Sequence, residues 1–257
     1  MRLESNTCAH PETAFLYFQT LARTGGEGGG VYVLHVFSVE HQAAATGRLR
    51  IMGLCLFAAT TSQGKLRDFR TAARAHSIFI ETLPGLDEIA APEEDGATFL
   101  ANATLKAIYY SKFAPDEMVL ADDSGLEVDA LSGAPGVRSA RFAADAGLVD
   151  SPDANDNTDV WNNMLLIQRM IGIPAPLRTA RYRCVLACAK NGALYQTSEG
   201  LVEGLILEAP RGTGGFGYDP LFYLPQLEKT MAEIDLETKL ELSHRGRAIA
   251  ALLPMLT

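Results

Sequence analysis

The sequence predicts an α/β fold built around a mixed sheet, and the prediction comes from its pattern and composition. From Ile51 onward, short apolar runs typical of buried strands alternate with longer segments of helical apolar spacing. One pair of strand-like segments is joined by Lys190-Asn-Gly192, which suits a hairpin turn and therefore an antiparallel pair. Apolar residues make up 47% of the 257, enough to bury a sizeable core. Alternation together with one antiparallel pair implies a mixed sheet.

Residues 1–50 are predicted to be an N-terminal extension, and residues 51–257 a single domain. The extension contains a glycine cluster at 24–30, which favours a flexible connection, and an apolar run at 31–37 that would suit an added strand. It lacks a basic start followed by an apolar stretch, so we expect no secretory signal. We assign the extension no chemistry of its own.

The pattern between residues 54 and 125 predicts strands and helices in alternation. We expect strands at 54–59, 77–82 and 118–121, and helices at 64–75 and 98–113. The last of these strands is expected to end in a turn at Asp122-Asp-Ser-Gly125, which Gly125 allows to close. Carboxylates at the end of a buried strand are costly unless they are hydrogen-bonded or bound to a metal.

After a turn at 133–136, the pattern predicts a helix, a hairpin and a final helix. We expect helices at 157–171 and 243–253, and strands at 181–189 and 194–207, the latter with a break at Glu199-Gly200. In the first of these helices the apolar spacing predicts core positions for Trp161, Met164, Leu165 and Met170.

Charge and composition exclude several classes of function. A net charge of −9 argues against a broad nucleic-acid surface, which requires clustered Lys and Arg. No apolar segment reaches the roughly 18 residues of a membrane span. The 4 cysteines are too few for a disulfide scaffold and suggest a reducing compartment, so we expect a cytoplasmic protein. From the charge and the lack of a long apolar segment, we expect it to bind neither nucleic acid nor membrane.

Two acidic groups are candidates for binding a metal ion. Asp122 and Asp123 lie together in the segment 121–130, and hard cations such as Mg²⁺ are held by one or two carboxylates plus substrate phosphates. The alternative for this segment is a solvated loop. A second group, Pro92-Glu-Glu-Asp95, precedes a predicted helix, where negative charge by itself favours the helix N-terminus.

The turn Thr60-Thr-Ser-Gln-Gly-Lys65 offers hydroxyls, N–H groups and an ammonium to a polyphosphate. It is not a P-loop, because it lacks the first glycine of that motif and has Leu66 after the lysine. The alternative is an ordinary start of a helix that Ser62 caps.

The segment 211–220 contains a literal G-x-G-x-x-G beginning at Gly212, but a dinucleotide site is excluded. Pro220 obstructs the helix that such a site requires. The glycines instead suggest close approach of backbone to a ligand, with Phe216 available to stack on a base. A glycine-rich loop without a ligand is the alternative.

Near the C-terminus, Lys239 and the segment Ser243-His-Arg-Gly246 place cations and donors around a predicted helix start. His244 and Arg245 can donate hydrogen bonds to the oxo group of a purine. An exocyclic amino group at the same position cannot accept such hydrogen bonds. The alternatives are a solvated lysine and a surface histidine.

Together these segments resemble the inosine triphosphate pyrophosphatase family over residues 54–253. The resemblance rests on motif blocks that occur in the family's order, at 122–131, 133–141, 212–220 and 243–246. It implies an elongated α/β fold with two lobes flanking a substrate cleft, and a homodimer. It also implies Mg²⁺-dependent hydrolysis of ITP, dITP and XTP to the monophosphate and pyrophosphate, with Mn²⁺ as an alternative metal.

The resemblance also implies residue roles. Catalysis falls to Asp123 with Asp122, and metal binding to Glu94 and Asp123. The residues expected to contact the nucleotide come from four segments: Thr60, Thr61, Ser62, Gln63, Gly64 and Lys65; Ser124; Phe216, Gly217, Tyr218 and Asp219; and Lys239, His244 and Arg245.

Two departures from the family pattern leave other functions open. Ser62 stands where the family has Asn, and Ala101 stands where many members have Glu. Both changes fall in the triphosphate and metal region. The alternatives are a Maf-type pyrophosphatase acting on modified nucleotides and a nucleotide-binding protein with impaired catalysis.

Overall fold

In the part of the chain that the structure, a computed structural model, describes, the elements are organised by a seven-stranded mixed sheet. The structure describes residues 54–74, 76, 78–148 and 158–256. The predictions for residues 1–50 therefore lie outside the described residues. Contacts group Gly53–Thr257 as one unit.

The strands follow the order β2-β1-β3-β4-β5-β6-β7 across the sheet. Their bounds are β1 Cys55–Ala58, β2 Phe79–Thr82, β3 Met118–Val128, β4 Thr179–Lys190, β5 Ala193–Ile206, β6 Phe222–Leu224 and β7 Lys229–Thr230. β1 is parallel to both β2 and β3, whereas the pairs from β3 to β7 are antiparallel. The predicted α/β fold with a mixed sheet is confirmed.

Helices cover both faces of this sheet. Their bounds are α1 Gln63–Arg74, α2 Phe99–Tyr110, α3 Phe142–Asp145, α4 Thr158–Arg169, α5 Leu236–Leu242 and α6 His244–Leu252. Of the predicted helices, those at 64–75, 98–113, 157–171 and 243–253 correspond to α1, α2, α4 and α6. Within the described ranges no helix is both long enough and apolar enough to cross a bilayer.

The predicted hairpin between β4 and β5 is confirmed. β4 ends at Lys190 and β5 begins at Ala193, so Asn191 and Gly192 form a two-residue loop. Their φ angles of 52° and 76° are those that a type I′ turn needs at both central positions. The Asn-Gly signal was sufficient because Asn and Gly tolerate the positive φ angles that this turn needs.

The predicted turn at Asp122-Asp-Ser-Gly125 is wrong, because β3 runs through it without interruption. β4 pairs with β3 along this stretch, with Asp122 opposite Leu186 and Asp123 opposite Val185. Gly125 serves close packing instead of a turn. A methyl group on it would collide with Ser139 Oγ and with the backbone carbonyl of Gly136.

The predicted break at Glu199-Gly200 is also wrong, since β5 is continuous through it. Gly200 lies under the first turns of α6, where a side chain would collide with the backbone of His244 and Ala248. The glycine therefore lets α6 approach the sheet closely. This approach brings the motif at 243–246 to the face of the long strands.

Core side chains divide between the two faces of the sheet according to the alternation of β3. Leu120 packs with residues of α1 and α6, such as Phe69 and Ile249. Ala121 packs with α2 residues such as Ala103. Because successive side chains of a strand point to opposite faces, Asp122 belongs to the side of α1 and α6, and Asp123 to the side of α2.

A further cluster surrounds the far ends of β3, β4 and β5, where Leu166 of α4 and Met170, the residue after this helix, pack. The predicted core positions in this helix are only partly right. Leu165 and Met170 are buried, but Trp161 is 36% exposed and Met164 is 54% exposed. The α4 surface that carries these two residues points away from the core.

Candidate active site

Asp122 lies at the centre of a buried polar group between β3, α1 and α6. Its Oδ2 is 2.8 Å from Nζ of Lys65, and it accepts a hydrogen bond from the Ser124 hydroxyl at 3.1 Å. The Arg245 guanidinium donates to the same hydroxyl at 3.2 Å. Three separated segments of the chain therefore meet at one carboxylate.

Asp123 faces a second polar group, which α2 supplies. Asn102 donates from Nδ2 to Asp123 Oδ2 at 3.0 Å, and Lys106 Nζ lies 3.6 Å from Asp123 Oδ1. The same Lys106 ammonium contacts Glu94 Oε2 at 2.8 Å. Asn102 in turn accepts from the Gly96 N–H at 2.8 Å, which fixes the loop that carries Glu94.

The surroundings push the pKa values of these two carboxyls apart. Burial raises the pKa of Asp122, but Lys65, Lys106 and Arg245 outweigh it and lower that pKa to about 2. For Asp123, burial wins over Lys106 and the Asn102 hydrogen bond, so its pKa is raised. Asp122 is therefore a fixed negative charge, and Asp123 is the better proton acceptor of the two.

Lys106 stays charged in this site. Burial alone lowers the pKa of its ammonium, but the carboxylates of Asp122, Asp123 and Glu94 raise it above the ordinary value. The side chain is a fixed cation between two acidic groups.

The Phe216 ring lies close to two cations and against the first turn of α1. Nζ of Lys239 is 5.2 Å from the centre of its ring, and the guanidinium carbon of Arg245 is 4.7 Å from it. Both distances fall within the range of a cation–π interaction. The Phe216 ring also packs on Gly64, where a Cβ would lie 2.9 Å from Cε1 of the ring. The glycine-rich loop and the predicted phosphate turn are thus in direct contact.

The Asp219 carboxylate contacts both Lys239 and the backbone of Phe216. Its Oδ2 is 2.5 Å from Lys239 Nζ and accepts a hydrogen bond from the Phe216 N–H at 2.9 Å. Both Asp219 and Lys239 are buried. A buried charge needs a partner, so this pair sets the position of the ammonium beside the Phe216 ring.

His244 is buried in the same region and holds unused hydrogen-bonding capacity. Its ring stacks on Tyr182 with centroids 4.7 Å apart and planes 12° apart. Among the described residues, neither ring nitrogen has a hydrogen-bond partner, and neither does Nε of Arg245. Burial, together with the cations Arg245, Lys239 and Lys65, lowers the pKa of His244 well below its ordinary value. The ring is therefore neutral, with one donor and one acceptor.

Gly217 is held by contacts to α4, and Tyr218 by a contact to the segment 136–141. The Gly217 N–H donates to Asp159 at 2.6 Å, and its carbonyl accepts from Asn163 at 2.8 Å. The Tyr218 side chain is in the core, with its hydroxyl donated to the Ser139 carbonyl at 2.7 Å. Burial raises the pKa of Tyr218, so this phenol stays protonated.

The remaining predicted residues belong to the turn before α1. The hydroxyl of Thr60 accepts from the Ser62 N–H at 3.2 Å, and the hydroxyl of Ser62 accepts from the Lys65 N–H at 3.4 Å. Ser62 thus caps α1, as the local alternative predicted. Thr61 and Gln63 are exposed beside it.

Sequence reasoning missed several residues that contact the predicted site residues, among them Asn102, Lys106, Asp68 and Tyr182. A signal existed for the first two, because they are polar residues one helical turn apart in the otherwise largely apolar α2. Asp68 is buried on α1 with an oxygen 3.8 Å from Arg245. Burial raises the pKa of Asp68 although Arg245 and Lys239 oppose it.

Within the ranges that the structure describes, no group of three or more His, Cys, Asp or Glu is arranged to hold a metal ion. Glu94 and Asp123 are a pair of carboxylates that converge on the Lys106 ammonium. Such a pair matches the protein share of a Mg²⁺ site whose other ligands are water and substrate phosphates.

Comparison with known proteins gives a consistent result. A sequence model of the Ham1 family matches residues 56–255. A dITP/XTP pyrophosphatase from Acidobacterium capsulatum is 58% identical over 205 residues, covering 80% of this chain and 99% of the relative. Another from Thermus thermophilus is 45% identical over 203 residues, covering 79% and 92%.

Solved structures agree with the sequence comparison. The Staphylococcus aureus Ham1 protein is 35% identical with a TM-score of 0.65, covering 79% of this chain and 97% of that protein. A HAM1 protein from Coxiella burnetii is 33% identical with a TM-score of 0.67, covering 79% and 98%.

Proposed function

This chain belongs to the Ham1 family, and from that premise we propose that it hydrolyses non-standard purine nucleoside triphosphates, such as ITP, dITP and XTP, to the monophosphate and pyrophosphate. The observation that carries the proposal is the convergence of cations on one aromatic ring. Lys239 and Arg245 flank Phe216, whose ring touches Gly64 at the start of α1. A base-stacking surface and a phosphate-binding turn are therefore adjacent.

The purine base would stack on Phe216 with its 6-oxo edge toward Arg245 and His244. The unpaired buried nitrogens of these two residues support this assignment, because unsatisfied buried donors are costly without a ligand. An N–H donor pairs with a 6-oxo group but faces a second donor when adenine presents its amino group. An unmade hydrogen bond of this kind costs on the order of 1 to 3 kcal/mol, or roughly tenfold to a hundredfold in discrimination.

The triphosphate would lie at the turn 60–65. α1 is 12 residues long, so its N-terminus presents free N–H groups and the positive end of its dipole to an anion. Lys65 adds a positive charge that Asp122 holds in place.

Glu94 and Asp123 are the residues that would hold Mg²⁺, or Mn²⁺ in its place. Both already direct an oxygen to one cationic group, the Lys106 ammonium, so their position suits a cation. When bound, the metal supplies charge neutralisation on the phosphate oxygens.

For the chemical step, we assign Asp123 as the proton acceptor. A water attacks the α-phosphorus, its proton passes to Asp123 Oδ, and the bond from the α-phosphorus to the bridging oxygen breaks to release pyrophosphate. Asp122 is less suited to this role, because its Oδ2 is 2.8 Å from the Lys65 ammonium and its pKa is lowered to about 2. Asp122 instead fixes Lys65, and positioning with fixed positive charge supplies most of the acceleration.

A pyrophosphate-release assay over ITP, XTP, ATP, GTP and modified pyrimidine triphosphates, with and without Mg²⁺, tests the proposal. We expect turnover of ITP and XTP well above that of ATP, and only with the metal. Preference for modified pyrimidines would favour the Maf-type alternative. Calorimetric binding of ITP without pyrophosphate release would favour an impaired binding protein, as the departures at Ser62 and Ala101 suggested.

The homodimer and the cytoplasmic location stay predictions. Light scattering of the purified full chain checks the first, and fractionation of cells that express it checks the second.

A further inference from the structure

We propose that Asp159 and Asn163 of α4 are positioning residues that fix the Phe216 ring for stacking on the base. The inference rests on the proposed function, since it concerns the same nucleotide site. Among the described residues, the side-chain hydrogen bonds of Asp159 and Asn163 reach neither the Phe216 ring nor the acidic groups of β3. They act through the backbone of Gly217.

The two side chains hold Gly217 on both sides of its Cα. Asp159 Oδ2 accepts from the Gly217 N–H at 2.6 Å, and Asn163 Nδ2 donates to the Gly217 carbonyl at 2.8 Å. The same Asn163 amide donates to the backbone carbonyl of Asp159 at 2.7 Å. Both peptide planes that flank Gly217 are therefore tied to a single turn of α4.

Such restraint matters at Gly217 because a glycine can adopt many backbone conformations. Its φ of 63° lies in the left-handed region, and it follows a run that includes Gly212, Gly214 and Gly215. Glycines lose more conformational freedom on ordering than other residues. Since Phe216 directly precedes Gly217, a free peptide plane at 217 lets the ring drift from its place on Gly64.

α4 is a rigid base for this contact. Asn162 accepts from the Ala143 N–H at 2.8 Å, and the buried side chains of Leu165 and Leu166 face the core. Asp159 and Asn163 are one helical turn apart, so their side chains lie on the same face. Because α4 packs against the core, Asp159 and Asn163 hold Gly217 at a defined position relative to the core.

The chemistry of the Asn163 amide gives the test its specificity. Its NH₂ group bridges two carbonyl oxygens, whereas its Oδ1 has no partner within the described part of the chain. A carboxylate of the same shape would place a negative oxygen against those two carbonyls. Asn163→Asp is therefore expected to release Gly217, although the side chain barely changes in size.

The increase in KM for ITP should differ between substitutions of Asn163 and of Asp159. The Asn163 bond to Gly217 is partly buried, while the Asp159 bond is exposed and water can replace it in part. We expect Asn163→Asp to raise KM for ITP about tenfold and Asp159→Ala about threefold, each with kcat within about twofold. Asp159→Asn retains an acceptor and should restore KM to within about twofold of the wild type.

The experiment measures kcat and KM for ITP on the full chain, with the calorimetric Kd for ITP without divalent metal in parallel. Gln168→Ala, at an exposed position of the same helix, is the matched control and should leave KM, Kd and melting temperature unchanged. Melting temperatures of all variants show whether α4 stays folded.

An unchanged KM and Kd in folded Asn163→Asp would overturn the inference, as would a loss of kcat at constant KM. If the wild type binds ITP but releases no pyrophosphate, the proposed function fails, and the Kd values alone decide the inference. If the wild type does not bind ITP, both fail.

Discussion

Asp122 and Asp123 are neighbours in the chain but belong to opposite faces of the sheet. The carboxylate of Asp122 is 2.8 Å from Lys65 of α1, and that of Asp123 is 3.6 Å from Lys106 of α2. The two carboxylates therefore contact different lysines, and their pKa values are shifted in opposite directions. Under the proposed function, Asp122 supports the structure of the site and Asp123 takes part in the chemistry.

Asp123→Asn should abolish pyrophosphate release from ITP without unfolding the protein. Burial raises the pKa of the Asp123 carboxyl, so the charged form costs stability at neutral pH, and a neutral amide removes that cost. We expect a melting temperature equal to or above that of the wild type. Turnover retained in this variant would remove Asp123 from the role of base.

Asp122→Asn should lose stability, unlike Asp123→Asn. The pKa of Asp122 is lowered from 3.8 to about 2, so its ionised form stabilises the fold by roughly 2 kcal/mol at neutral pH. That contribution is present above the unfolded pKa and is lost as the pH falls through the folded pKa. Urea denaturation at pH 7 measures the difference, and equal midpoints for variant and wild type would contradict it.

Lys106→Met should lower kcat for ITP by about 100-fold, because it removes a fixed cation from between Glu94 and Asp123. Steady-state kinetics at saturating Mg²⁺ provide the measurement. Lys112→Met, at an exposed position soon after α2, is the control and should keep the wild-type rate. A Lys106→Met enzyme with normal kcat would show that this lysine is only structural.

Gly64→Ala should raise KM for ITP roughly tenfold, because the new methyl group would lie 2.9 Å from Cε1 of Phe216 and displace the ring. A double-mutant cycle with Phe216→Leu checks the cause. If the clash is responsible, adding Gly64→Ala to Phe216→Leu changes KM little further. Additive effects would mean that Gly64 acts through the phosphate turn alone.

His244 should make the fold sensitive to mild acid. Its pKa is lowered well below 6.5 in the folded protein, so below about pH 6.5 the unfolded chain binds a proton that the native chain does not. The free energy of unfolding should then fall by about 1.4 kcal/mol per pH unit from this residue. His244→Phe, which keeps an aromatic ring on Tyr182, should flatten that dependence between pH 7 and 5. Parallel urea titrations that give equal slopes would contradict this.

The sequence by itself determined the order of β1 to β5 with α1, α2, α4 and α6, the hairpin at Asn191-Gly192 and the motif blocks at 60–65, 122–124, 216–219 and 243–245. It did not indicate β6, β7, α3 or α5. The features that it determined depend on periodicity and turn chemistry within a few residues, which a single chain displays directly. The spacing of Asn102 and Lys106 on α2 is also a local feature. By itself it does not show that both side chains contact Asp123, which only the tertiary structure reveals.

Tertiary structure decided the rest. Pairing with β4 carried β3 through the expected turn, and the alternation of an extended strand then sent Asp122 and Asp123 to different helices. Gly125 and Gly200 proved to be points of close packing, which no local pattern distinguishes from a turn or a break. Likewise, the hold of α4 on Gly217 joins residues more than fifty positions apart, and such contacts are set by how elements pack and not by the residues adjacent in the chain.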